Sequence, residues 1–195
     1  MKYFLIILIS ALASLIQLPV EASDFRVSAG VIVLMTAICH YQVKRPIRLG
    51  LVTGLAVCFF RMGVDSILVH GLTGAQSLSY LLETFFYLGY VFLFTYTANR
   101  PDPVYPLPLV ICLGISDFGG NFLEYVSRLI AGLEGWSNVS LKTLLLAAFV
   151  RSVLITICLY LWNRMSGKSV NPLYEPAVPS PAAPPAGQAS HKKEA

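Results

Sequence analysis

Long apolar stretches alternate with short polar connections along this chain. The apolar runs cover residues 3–20, 27–43, 49–69, 77–98, 105–130 and 141–162. Each is at or near the length of about 17–25 residues that a helix needs to cross a bilayer. Inside lipid, every backbone N–H and C=O must find its partner within the protein, so runs of this length predict transmembrane helices. Helix breakers punctuate the connections: Pro46, then Gly71 and Gly74, then Pro101 and Pro103. The pattern predicts an all-α fold, a polytopic membrane bundle of about six transmembrane helices occupying residues 1–168. From residue 169 to 195 proline and alanine dominate and no apolar periodicity survives. Such a segment cannot bury enough surface to fold and predicts a disordered cytoplasmic tail.

The first run has two readings. Lys2, an apolar core and Val20-Glu21-Ala22 ahead of Ser23 resemble a signal peptide with a small-x-small cleavage site. The run is longer than the usual h-region of about 7–15 residues, so a retained helix is the expectation.

Composition agrees with the pattern. Hydrophobic residues make up 56% of the chain and charged residues 12%, and the mean hydropathy is +0.69. The net charge of +4 does not point to nucleic acid, because the basic residues gather at span ends: Lys44, Arg45 and Arg48, then Arg100, then Arg164 and Lys168. Basic connections stay on the cytoplasmic side. Both termini are therefore expected inside a cell membrane, with the loops near Asp24, Gly71 and Trp136 outside. Cys39, Cys58, Cys112 and Cys158 each lie in an apolar segment, far apart, and read as small core residues rather than a metal or disulfide framework. No HExxH motif or nucleophile–base pair is present, and His40 has no second ligand near it in sequence. Neither a cofactor nor an enzymatic activity is expected.

The candidate chemistry lies in the charges within the spans, each costing roughly 2.5–3.5 kcal/mol on insertion scales. They are Arg61 and Asp65 on span three, Glu83 on span four, Asp117 and Glu124 on span five, and Arg151 on span six. Asp117, Asn121, Glu124 and Arg128 fall at i, i+4, i+7 and i+11, one stripe of a helix with about 3.6 residues per turn. Arg61 and Asp65 share a face at i, i+4 and are placed to pair along it. Counting 1.5 Å of rise per residue from the span ends puts these side chains at or above the bilayer midpoint, on the outer side. Such groups face a bundle interior or a hydrated cavity. Four carboxylates against two guanidiniums leave an excess of acid, to be met by protonation, by Arg26 or Arg128, or by a cationic or hydrogen-bonding ligand. Arg61, Asp65, Glu83, Asp117, Asn121, Glu124 and Arg151 are thus the candidate ligand-binding residues.

Weaker features read as packing. Gly50 with Gly54 and Ser116 with Gly120 are small-xxx-small pairs that allow close helix approach. Phe85, Phe86, Tyr87, Tyr90, Phe92, Phe94 and Tyr96 are expected mostly toward lipid or the interface. Asn138-Val139-Ser140 matches a glycosylation acceptor by chance as easily as by design.

Phe25-Arg26-Val27-Ser28-Ala29-Gly30, the basic turn, Gly50-Leu51-Val52-Thr53-Gly54, Arg61 to Asp65, ISDFGGNFLEY at 115–125 and AAFVRSVLI at 147–155 carry two resemblances. Over residues 25–165 the chain resembles the membrane-embedded sensory module of bacterial, Firmicutes-type sensor histidine kinases. That implies a receptor that signals through a separate cytoplasmic partner, since no kinase domain follows Lys168. Over a shorter match it is similar to the substrate-binding component of energy-coupling-factor vitamin transporters. This second resemblance implies an outward-facing pocket and small residues on the first helix, here Ser10, Ala11 and Ser14, that dock a partner membrane subunit. Sensing or ligand binding in the bacterial plasma membrane is the first expectation, and a vitamin-transporter component is the alternative.

Overall fold

A computed structural model describes residues 1–19, 26–68, 71, 73–98, 108–133 and 140–167. The expected tail at 169–195, the cleavage motif at 20–23 and the Asn138 acceptor lie outside the described residues.

Six helices are described: α1 (Lys2–Ala13), α2 (Ala29–Tyr41), α3 (Pro46–Leu68), α4 (Gly74–Ala98), α5 (Leu109–Ile130) and α6 (Leu141–Met165). The last four are long and apolar enough to cross a membrane. The first two, of 12 and 13 residues, are shorter, so four of the about six expected spans have the length and composition to cross a bilayer. Two short strands, β1 (Gln17–Pro19) and β2 (Arg26–Ser28), continue α1 and precede α2. They pair antiparallel, with Gln17 opposite Ser28 and Pro19 opposite Arg26.

Local chemistry accounts for the shortening. Pro19 lacks an N–H, clashes with the carbonyl four residues back and disfavours helix at the residue before it, so the first apolar run cannot stay helical to its end. α1 closes at Ser14, whose hydroxyl donates to the Ala11 carbonyl at 2.6 Å. At the start of α2, the Ser28 side chain accepts from the Gly30 N–H at 3.2 Å, an N-cap that halts the helix before Val27. The hairpin pairs backbone groups that neither half-length helix can satisfy. Gln42 ends α2 in the left-handed conformation, φ 47°, turning the chain into α3.

The helices close a ring. α1 packs on α3, α3 on α4, α4 on α5, α5 on α6, α6 on α2, and α2 returns to α1. Val31, Leu34 and Met35 of α2 share one core with Val57, Tyr87, Tyr90, Val91, Leu113 and Ile155. The outer surfaces carry Phe4 and Leu8 on α1, Phe59 on α3, Phe122 on α5, and Leu146, Phe149 and Leu161 on α6. Exposed apolar side chains in this number suit contact with lipid rather than water.

Small residues set the closest approaches. A Cβ on Gly120 would lie 3.1 Å from both the Phe86 carbonyl and the Tyr90 nitrogen, and one on Gly30 2.6 Å from the Ser10 carbonyl. Gly50 and Gly54 meet Val91 and Thr84 in the same way, so both small-residue pairs read as packing do pack. Two other expectations change. Phe86, Tyr87, Tyr90 and Phe94 are buried because α4 lies between α3 and α5 and turns them inward. Cys158 is exposed on α6, while the other three cysteines are buried.

Candidate functional site: a buried network of arginine–carboxylate pairs

Three ion pairs lie in the half of the bundle where α3 and α5 end and α4 and α6 begin. Counted at about 1.5 Å per residue from those helix ends, Arg61, Glu83, Glu124 and Arg151 lie roughly 9–15 Å deep, with Asp117 about 20 Å deep.

The deepest pair joins α6 to α5. Arg151 Nη2 donates to Asp117 Oδ1 at 2.7 Å, with side chains 2% and 0% exposed. Asn121 Nδ2 donates to the same carboxylate oxygen at 2.7 Å and to the Asp117 carbonyl at 2.8 Å. The Arg151 guanidinium also lies over the Phe86 ring of α4, 4.9 Å from its centroid, a cation–π contact that strengthens when desolvated. Asp117 Oδ2 is buried without a hydrogen-bond partner in the protein.

The second pair joins α5 to α4. Arg128 Nε donates to Glu124 Oε1 at 2.8 Å, and its Nη1 reaches Ser79 Oγ on α4 at 2.7 Å. The third joins α3 to α4 and α1. Arg61 Nη1 donates to Glu83 Oε2, and Nη2 donates to the Ser14 carbonyl at 2.7 Å. That second bond has a clear cause. α1 ends inside the bundle, where its last carbonyls have no water, and a cation is favoured at the negative end of a helix.

The pairs form one cluster. α4 and α5 each contribute to two of them, and Tyr87, one turn along α4 from Glu83, is fully buried. Tyr87 in turn stands 3.4 Å from the Ser28 hydroxyl that caps α2. The network therefore touches both half-length helices as well as all four long ones.

Six of the seven sequence-selected residues are brought together: Arg61, Glu83, Asp117, Asn121, Glu124 and Arg151. Asp65 stands apart. It accepts from the Tyr80 hydroxyl and does not pair with Arg61, correcting the expected bond along α3. Arg61 finds two acceptors across the bundle, whereas Asp65 offers one along it. Arg128, named from sequence as one possible source of the missing positive charge, pairs with Glu124, and its place on the α5 stripe was the available signal. The Arg26 side chain lies outside the described residues. Ser79, Phe86 and the Ser14 carbonyl carry no sequence signal, because their roles arise only when helices meet.

Charge balance changes accordingly. Three carboxylates face three guanidiniums, so the excess acid that argued for a cationic ligand is absent from the cluster. What remains is hydrogen-bonding capacity: Asp117 Oδ2, Arg61 Nε and the hydroxyls of Ser10, Thr53 and Thr84 are all buried without a partner. Such atoms in a polar interior are held by water or by a small polar guest. Among the described residues no group of three His, Cys, Asp or Glu side chains is placed to hold a metal ion. Ser10, Ala11 and Ser14 are buried within the ring, so they form no docking face on α1. Comparison of the chain with models of known protein families, with curated proteins and with solved structures finds no match.

Proposed function

We propose that the chain is a sensory or ligand-binding module of the bacterial plasma membrane, taking a small hydrogen-bonding ligand into the polar cluster of its outer half. The observation that carries this reading is the Asp117 carboxylate, fully buried on α5 with one oxygen held by Arg151 and Asn121 and the other without a partner. A buried unsatisfied carboxylate oxygen is costly unless something donates to it. A ligand with an N–H or O–H group supplies that donor. Approach is from the basic-poor side, past Glu83 and Arg128, whose side chains are 14% and 11% exposed.

Signalling follows from the same contacts. A ligand that binds one arrangement of α5 and α6 better than another shifts their populations, and Arg151 ties α6 directly to the site. The last helix then carries the change to the basic end, which the distribution of Lys and Arg assigns to the cytoplasm, together with both termini. A separate cytoplasmic partner completes the output. The half-length helix α1 belongs to the module in this reading, since it contributes Ile6, Ser10, Ala11 and Ser14 to the interior.

The test is extraction of the full chain from native membranes and mass spectrometry of what copurifies. A small molecule retained by the natural sequence and lost from Asp117→Asn, with folding intact, is the expected result. Retention by both Asp117→Asn and Glu124→Gln overturns the site. Copurification of a membrane subunit with ATPases would instead support the vitamin-transporter alternative, which the burial of Ser10, Ala11 and Ser14 leaves without its implied docking face.

A further inference from the structure

At the end of the bundle opposite the ion pairs, a crevice of about 360 Å³ opens between the start of α1 and the end of α2, lined by Met1, Lys2, Tyr3, Ile6 and Tyr41. We propose that it seats the headgroup of an anionic phospholipid, with the phosphate at Lys2 and the acyl chains leaving past the exposed Tyr3.

Charge is the first argument. Lys2, Lys44, Arg45, Arg48 and Arg164 are exposed at this end, and among the described residues none of them pairs with a carboxylate. The described carboxylates, Asp65, Glu83, Asp117 and Glu124, all lie in the other half. Basic pockets on the cytoplasmic side of membrane helices attract anionic headgroups by this complementarity.

Shape is the second. The crevice is amphipathic, with a cation at its mouth and an apolar lining from Ile6 and the rings of Tyr3 and Tyr41. Its volume exceeds what an inorganic phosphate fills and falls in the range of about 300–1,000 Å³ typical of ligand sites. A soluble anion has no use for the apolar wall.

The back wall is the third. Lys2 Nζ lies 5.9 Å from the centroid of the Tyr41 ring. That ring packs edge-on to His40 and to Trp162 of α6, at 4.8 and 5.6 Å. His40 stacks on Trp162 at 4.6 Å and is hydrogen-bonded through Nδ1 to Asn163 Oδ1 at 2.6 Å. Interlocked rings of this kind leave the crevice little freedom to collapse. They also make a lipid in it a neighbour of the last helix. The proposal is independent of any ligand in the polar cluster.

The experiment uses the purified full chain in detergent, with phosphatidylglycerol, phosphatidylcholine and inorganic phosphate added separately. Native mass spectrometry and thermal unfolding are the readouts. Phosphatidylglycerol is expected to bind in a one-to-one ratio and raise the unfolding temperature, with phosphatidylcholine and inorganic phosphate doing neither. Lys2→Gln should weaken that binding about fivefold, the worth of one basic residue near a headgroup, while Lys142→Gln at the opposite end leaves it unchanged. Should Lys2→Gln fail to insert, Ile6→Phe narrows the crevice without touching a charge and must also weaken binding. Equal binding of phosphatidylcholine overturns the proposal, as does displacement of the lipid by equimolar inorganic phosphate. So does a Lys44→Gln/Arg45→Gln pair that weakens binding while Lys2→Gln and Ile6→Phe do not, because attraction would then be diffuse.

Discussion

In one half of the bundle Arg61 and Arg151 each donate to a carboxylate on a neighbouring helix. At the other end Lys2, Lys44, Arg45, Arg48 and Arg164 stand exposed, with no carboxylate partner among the described residues. Residues of the same charge are thus treated in opposite ways within one small fold, and depth decides which. A guanidinium some 9–15 Å inside a helical bundle has neither water nor headgroup to solvate it, so it must be paired and hydrogen-bonded. A cation at the interface is solvated already, and a pair there adds little. Substitutions should therefore rank by depth rather than by residue type.

The largest effect is expected at Arg151. Arg151→Met leaves Asp117 as an uncompensated charge in the interior, and breaking a buried pair in this way costs about 3–5 kcal/mol. Unfolding of the purified chain in mixed micelles by titrated denaturing detergent measures it. Adding Asp117→Leu should recover most of the loss, because an apolar pair of similar volume replaces a buried ion pair at little cost. If the single variant is as stable as the parent, the interior is wetter than the fold implies and the contrast between the two ends dissolves.

A smaller loss is expected at Arg61. Arg61→Met frees Glu83, which is 14% exposed and can turn toward the surface, so the penalty is nearer that of a lost charged hydrogen bond, about 1.5–3 kcal/mol. The damage should also be local. The Ser14 carbonyl loses its donor, and the end of α1 should loosen, which hydrogen exchange over residues 10–16 would register before global unfolding.

Much of this was legible in the sequence, and the misses have physical causes. The four long helices follow from run length, and the α5 stripe follows from spacing at 3.6 residues per turn. Convergence of charge in one half follows from counting rise along each span. The half-length helices were missed because run length ignores Pro19, which forbids a helix to residue 20, and ignores Ser28 as a cap. Those signals were present and are local. Arg61 was matched to Asp65 because i, i+4 spacing is visible along one helix, whereas the Ser14 carbonyl and Glu83 become acceptors only after α1 stops and α4 packs. The inward turn of Tyr87 and Tyr90 was hidden for a related reason: aromatic residues are as common at lipid interfaces as in cores, and only the neighbours of α4 decide between them. Ser10, Ala11 and Ser14 looked like a docking face because small residues permit close approach, and the approach they permit is that of Gly30 within the same chain.

The smallest effect on stability, and the sharpest test of the comparison, is expected at the basic end. Lys44→Gln and Arg45→Gln remove two exposed cations that have no carboxylate partner among the described residues. Surface changes of this type stay within about 0.5 kcal/mol, so the detergent-unfolding midpoint should hold where Arg151→Met shifts it strongly. Insertion should respond instead. Short basic connections hold their side of the membrane during insertion, and these two residues make up much of the charge between α2 and α3. A rise in the share of molecules with the basic end on the wrong side, read by protease protection in membrane vesicles, is the expected outcome. A large loss of folded stability with orientation unchanged would mean that these cations are held in place as firmly as the buried arginines, and depth would no longer separate the two ends.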